Sequence, residues 1–235
     1  MSKNDIIDIN VIDDINNIIS DLEVDHKRIK VDSIYDLEDK LWDSGYKYIA
    51  GCDEVGRGPM AGPVVVASVV LDKNKKIDGL NDSKKLSHKK RCELAEIIKK
   101  EAIEYTICYI DVDEVDRINV YESSRKGMMD CVSRLKNVDF VISDCMKFDC
   151  KYPLLSLIKG DATSASVAAS SIIAKVERDN YMINLSKEYP NYGFDKHKGY
   201  VTKMHLDAIK KYGICIHHRK SFDPVKRIID ESKKD

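Results

Sequence analysis

The chain has 235 residues, 39 Lys+Arg against 40 Asp+Glu, and 43% hydrophobic residues, a globular composition long enough for one large core. It has no run of about 18 apolar residues, which excludes a spanning helix, and no basic-then-apolar leader pattern, so no secretory signal is expected. Its seven cysteines form no C-x-x-C pair, which argues against a disulfide framework or zinc site and for reduced thiols in a cytoplasmic protein. The near-zero net charge hides an asymmetry. Residues 1–33 hold eight acidic against four basic side chains, whereas 187–227 hold ten Lys/Arg and four His against four Asp/Glu. A basic segment suits a polyanionic partner, but charge alone favours an ordinary solvated surface.

Ile12, Ile15, Ile18, Ile19 and Leu22 recur at helical spacing in an Asp-, Asn- and Ile-rich segment. Ile34, Leu37, Leu41 and Trp42 predict a second helix, closed by Gly45. Residues 1–45 read as a helical extension, 46–186 as the core, and 187–235 as a C-terminal helical region. Strands are predicted at Tyr48–Cys52 and, from a β-branched run, at Val64–Leu71. Gly56-Arg57-Gly58-Pro59-Met60-Ala61-Gly62-Pro63 connects them as a tight turn. A helix capped by Ser87 runs to Ala102, followed by a strand at Ile103–Ile110 and a helix at Val120–Leu135. Short strands follow at Val138–Ser143, ending on Asp144, and at Leu154–Ile158. Ser164–Ser186 is a long helix whose Ala168, Ala169, Ser170 and Ser171 allow close approach of a neighbour. His205–Tyr212 is a helix stopped by Gly213, and Lys226–Asp235 a charged helix and tail. The order favours an α/β fold around one mixed sheet.

Asp53 and Glu54 end the first core strand just before the glycine-rich turn. Neighbouring strand residues face opposite ways, so one carboxylate faces inward, where an unpaired charge is expensive. A hard divalent cation resolves the conflict. Asp144 ends another apolar strand, and Asp161 precedes the long helix, where an N-cap role is an equal alternative. Taken singly, Asp144 reads as a solvated loop start. Gly56-Arg57-Gly58 lets backbone N–H groups approach a phosphate or sugar, but a lone Gly-x-Gly is weak and no Walker pattern follows.

Taken together and in order, the segments resemble ribonuclease HII, the bacterial type 2 ribonuclease H. They are Gly51–Pro63, Asp82-Ser-Lys-Lys-Leu-Ser87, Asp144, Lys159-Gly160-Asp161 with Ala169–Asp179, His197-Lys-Gly-Tyr-Val-Thr-Lys-Met-His205, and His218-Arg-Lys-Ser-Phe222. The likeness spans about Lys47 to Arg227. It implies a ribonuclease H-like fold: a mixed central β-sheet flanked by helices, plus a C-terminal helical region. It implies metal-dependent cleavage of RNA in RNA–DNA hybrids and incision 5′ of single ribonucleotides in duplex DNA, leaving a 3′-hydroxyl and a 5′-phosphate. By motif, Asp53, Glu54, Asp144 and Asp161 are the catalytic ligands of Mg²⁺ or Mn²⁺, with two ions in the substrate complex. Gly56, Arg57 and Gly58 would read the ribose 2′-hydroxyl, which distinguishes RNA from DNA. Tyr200 would pack on the following deoxyribose, and Lys84, Lys85 and Lys175 would contact phosphates. The expected partners are RNA–DNA hybrid and DNA duplex containing ribonucleotides, with no membrane, and the expected state is a monomer; the sequence names no protein partner.

Two features depart from the family pattern: Cys145 follows the third carboxylate where glycine is common, and the N-terminal 45 residues exceed a minimal core. His205 receives no catalytic role. Ribonuclease HIII, a relative, typically has Gly-Thr-Gly at the turn. A silent binding module would not need four carboxylates, and a P-loop enzyme would need the missing Walker lysine.

Overall fold

A computed structural model describes residue 17, residues 24–25 and residues 28–231. The helix expected over Ile12–Leu22, except Asn17, and residues 232–235 lie outside the described residues. Two short strands, β1 (Val24–Asp25) and β2 (Arg28–Ile29), pair antiparallel. The first helix, α1, covers Asp36–Asp43, with Gly45 at φ 104 after it, as the predicted glycine stop requires.

A five-stranded mixed sheet forms the centre, in the order β5-β4-β3-β6-β7. These strands are β3 (Ile49–Val55), β4 (Val64–Val70), β5 (Glu104–Ile110), β6 (Phe140–Asp144) and β7 (Leu154–Leu157). β3 pairs antiparallel with β4 and parallel with β6. It runs three residues beyond the predicted end, so Asp53 and Glu54 lie within the ladder, opposite Ala67 and Val66. β4 is buried along its whole length and serves two cores. Val65, Ala67 and Val69 face a cluster with Leu94, Ile98, Ala168 and Ile172, whereas Val64, Val66 and Val70 face Val115, Met128, Cys131 and Val132. This two-sided burial explains the continuous apolar run in its sequence.

Helix α2 (His88–Glu101) starts on Ser87, whose hydroxyl accepts from Lys90 N at 3.2 Å, as predicted. Helix α3 covers Val112–Arg134, eight residues earlier than expected. Its start is a capping signal that apolar spacing did not reveal: Asp111 Oδ1 accepts from Glu114 N at 2.8 Å. Asn119, at φ 69, kinks the helix where the sequence predicted its beginning to lie. Helix α4 (Ala165–Glu188) is capped by Ser164, not by Asp161. Asp161 sits instead in the preceding 3₁₀ turn, Gly160–Ala162. Both are good capping residues; the extra turn moves the helix start three residues on. The small residues of α4 do admit a neighbour: a Cβ on Gly51 of β3 would collide with the Ser166 backbone, and Ser170 Oγ donates to Gly51 O at 2.8 Å.

Helix α1 docks on the sheet. Leu37 and Leu41 pack with Ile49, Phe140, Ile142 and Val167. Glu38 is fully buried, and its Oε1 accepts from Ser164 Oγ at 2.5 Å, Ser166 N at 2.9 Å and Ser166 Oγ at 2.7 Å.

After α4 come a 3₁₀ turn (Pro190–Tyr192) and the helices α5 (Phe194–His197), α6 (Lys203–Tyr212) and α7 (Asp223–Glu231). They bury Tyr192, Phe194, Ile209 and Val225 against Met60 and Ala61 of the glycine-rich turn and Met182 of α4. Among the described residues no helix is long and apolar enough to cross a membrane.

Candidate active site

The four predicted carboxylates converge. Cys52 and Ser143 are the last register partners of the parallel strands β3 and β6, so the next residues, Asp53 and Asp144, lie side by side where that pairing ends. Gly160 N donates to Asp144 Oδ1 at 2.7 Å, which brings the turn carrying Asp161 against the end of β6. Asp53 and Asp161 are buried. Glu54 Oε1 accepts from Arg57 Nη1 at 3.2 Å, and Glu54 Oε2 is buried without a hydrogen-bond partner.

Burial and mutual repulsion raise all four acids. Asp53 is pushed well above the usual carboxylate range by burial and then by the charges of Glu54 and Asp144. Burial raises Glu54 to about 7, with Asp144 adding to the rise and Arg57 opposing it. Burial, Asp144 and Asp82 bring Asp161 to about 6. Asp144 is raised by burial, against the Gly160 N–H. Such a cluster needs positive charge. Lys84 Nζ, 3.9 Å from Asp161 Oδ2, supplies only a distant and exposed share. An all-oxygen donor set with an orphaned buried oxygen fits a hard divalent cation. Among the described residues no three His, Cys, Asp or Glu side chains are preassembled around one cation position.

The sign of the pH dependence follows. Glu54 lies above its ordinary value in the folded protein, so its contribution to metal-free stability is whole below about pH 4.5 and is lost as pH rises through about 7. A cation binds the deprotonated form. Titration calorimetry with Mn²⁺ is expected to give an affinity roughly 30-fold weaker at pH 5.5 than at pH 8, the factor by which a group titrating near 7 is depleted of its charged form.

The glycine-rich turn lies beside the acids. Gly56 adopts φ 109, and a Cβ there would collide with Arg178 Nε and Pro63 O. Arg219 fixes two successive peptide planes: Nη2 donates to Gly56 O at 2.7 Å and Nη1 to Arg57 O at 3.2 Å. In a trans peptide C=O and N–H point opposite ways. With both carbonyls turned towards Arg219, the N–H groups of Arg57 and Gly58 point away from it, and neither is used in a hydrogen bond among the described residues. Tyr200 is 44% exposed, and a Cβ on Gly58 would lie 3.5 Å from its ring.

Of the predicted lysines, Lys84 faces the acids, Lys85 is exposed on the neighbouring turn, and Lys175 is held by Asp179 at 2.8 Å within α4. Cys145 adopts φ 50, a left-handed conformation that favours the glycine common at this position in the family. His205 supports Tyr200 rather than the acids. Cys215 N donates to His218 Nδ1 at 2.9 Å, so His218 Nε2–H donates to His205 Nε2 at 3.1 Å, and His205 Nδ1–H donates to Tyr200 O at 2.9 Å. Burial lowers both imidazoles to about 4, which keeps this chain neutral.

Residue-by-residue reading missed Asp82, whose charge helps to raise Asp161, and Ser171, which opposes the rise of Asp53. It also missed Arg178 and Arg219. All but Ser171 carry charge within or beside quoted motifs, yet nothing in their spacing marks them as buried partners of the site.

Comparison with known proteins points to one family. The sequence profile described as ribonuclease HII matches residues 50–225. A ribonuclease HII from Geobacillus sp. WCH70 is 49% identical over 197 residues, 83% of this chain and 71% of the relative. One from Halalkalibacterium halodurans is 46% identical over 80% of this chain and 72% of the relative. Among solved structures, the ribonuclease H2 of Pyrococcus horikoshii OT3 superposes with a TM-score of 0.70 at 24% identity, over 80% of this chain and all of that one. That structure is a likeness of fold.

Proposed function

The chain belongs to the ribonuclease HII family and is a ribonuclease H endonuclease, and on that premise we propose that it hydrolyses RNA in RNA–DNA hybrids and incises duplex DNA immediately 5′ of a single embedded ribonucleotide. The products are a 3′-hydroxyl and a 5′-phosphate, and the role is ribonucleotide removal during DNA repair and replication. The observation that carries the reading is one surface on which four raised carboxylates adjoin two free backbone N–H groups and an exposed tyrosine ring.

Asp53, Glu54, Asp144 and Asp161 would hold Mg²⁺ or Mn²⁺, two ions with substrate bound. Bound cations supply charge neutralisation and water activation for phosphodiester hydrolysis. The remaining steps belong to the chain. The N–H groups of Arg57 and Gly58, freed by the clamp on their carbonyls, donate to the 2′-hydroxyl and the adjacent phosphate. Gly58 has no side chain to hold the sugar off. The Tyr200 ring packs on the C2′ methylene of the next sugar, and a hydroxyl there would press into it. Lys84 and Lys85 attract phosphates, and Lys175 joins them only by leaving Asp179. Such contacts make binding salt-dependent. We assign residues 46–186 to the catalytic core and 187–235 to substrate binding in a cytoplasmic monomer. Within the extension 1–45, α1 works as part of the core.

A labelled DNA duplex with one ribonucleotide tests the reading. In Mg²⁺ or Mn²⁺ a single cut on the 5′ side, ending in a 3′-hydroxyl, is expected, with none in EDTA and none on all-DNA duplex. Cleavage of long hybrid without that cut would overturn the junction specificity.

A further inference from the structure

Two arginines are buried without a carboxylate partner among the described residues. Arg178 and Arg219 are both fully buried, and every hydrogen bond they make ends on a backbone carbonyl. Burying a guanidinium with no counter-ion is costly, and an apolar side chain of similar volume would usually pack more cheaply. The cost points to something the carbonyls need.

What they share is a seam. Arg178 reaches across it: Nε donates to Pro63 O at 3.0 Å and Nη2 to Ala61 O at 3.0 Å on the glycine-rich turn, while Nη1 donates to Lys198 O at 2.9 Å on the segment that carries Tyr200. Met60 N donates to Gly199 O at 3.0 Å beside it. The two strips of backbone lie so close that a Cβ on Gly199 would collide with Ala61 O. One planar fork therefore sets how far the turn stands from Tyr200. A lysine cannot, because a single ammonium does not span three carbonyls in fixed directions.

We propose that Arg178 is a positioning residue for specificity: by joining the turn to the Tyr200 segment it fixes the spacing between the site that reads a ribose and the ring that reads the next sugar. This rests on the junction reading above. A spacing set to one nucleotide step accepts a ribose followed by a deoxyribose and rejects two riboses in succession. With the seam loose, Tyr200 yields to the second hydroxyl, and the preference for the junction declines.

The test is a ratio. kcat/KM is measured on duplex DNA holding one ribonucleotide and on the same duplex with one strand RNA throughout, which offers successive riboses and no following deoxyribose, for wild type, Arg178→Lys, Tyr200→Ala and Leu94→Ala. Leu94 is a core residue of α2 that makes no hydrogen bond across the seam, and its truncation controls for lost stability. Arg178→Lys is expected to lower the single-to-multiple ratio about tenfold, as Tyr200→Ala does, whereas Leu94→Ala lowers both rates and keeps the ratio. If wild type and Tyr200→Ala behave as expected but folded Arg178→Lys keeps the wild-type ratio, the inference fails and the junction reading stands. If wild type shows no preference for the junction, both fail. If Arg178→Lys does not fold, Gly199→Ala forces the same seam apart from the other side, and an unchanged ratio in it likewise overturns the inference.

Discussion

Asp53→Asn is expected to lower kcat by at least about 10³-fold and, without metal, to make the protein harder to unfold. Both effects have one cause. Asp53 is buried beside Glu54 and Asp144, and its charge is opposed by desolvation and by theirs. An amide keeps the acceptor used by Glu54 N at 2.7 Å and removes the charge. The variant loses a cation ligand and gains about 0.5–2 kcal/mol of metal-free stability, the exchange expected where a site is built for function against stability. The gain is present at pH 8 and smaller at pH 4.5, because burial and the neighbouring charges favour the protonated form of Asp53 as pH falls. The comparison must be between variant and wild type at each pH. The neutral buried imidazoles of His205 and His218 titrate in the opposite sense: their contribution is whole above about pH 6.5 and is lost as pH falls towards 4. Chemical unfolding in EDTA at the two pH values, beside a cleavage assay in Mg²⁺, measures both halves. An Asp53→Asn protein that is less stable than wild type at pH 8 would show that the carboxylates do not repel one another.

Glu38→Ala is expected to cost about 3–4 kcal/mol of stability. Glu38 lies in the segment whose sequence suggested no chemistry, yet one of its oxygens receives three donors at the start of α4. Alanine leaves the Ser166 N–H in a buried space with nothing to accept from it, and the Ser164 and Ser166 hydroxyls with only each other. The loss is larger than that of an ordinary exposed cap. Glu38→Gln keeps an acceptor in place and is expected to cost about 1 kcal/mol. Urea unfolding of the two variants gives the contrast, and equal losses would mean that packing, not acceptance, is what Glu38 provides. Asp161 lies three residues before Ser164, so slack at the α4 start should reach the active site as well.

What was legible in the sequence was local or linear. The apolar run of β4, the Ser87 cap and the glycine after α1 each carry their structural cause within a few residues. The four carboxylates were legible because three end or follow short strands and because the motifs occur in one order along the chain. The start of α3 was marked by Asp111 and Glu114, but its first turns lack a strong apolar stripe, and Asn119 breaks the period. Asp161 and Ser164 compete as caps in the same four residues, and only the geometry of the Gly160 turn decides between them. Glu38, Arg178 and Arg219 were illegible for a different reason. Each works on a partner more than a hundred positions away, and such pairings leave no periodicity in the chain.

That remoteness has a consequence in time. Arg219 Nε donates to Gly62 O, a residue 157 positions earlier in the sequence. At a synthesis rate of about 5–20 residues per second, the glycine-rich turn leaves the decoding centre roughly 10–30 s before the guanidinium that orients it has been made. The turn and all four acids precede the part that aims the turn. A nascent chain that has passed Asp161 but not reached Arg219 holds all four carboxylates and lacks the arginine that turns two peptide planes towards a ribose. Reading of a ribose by the turn therefore waits on Arg219.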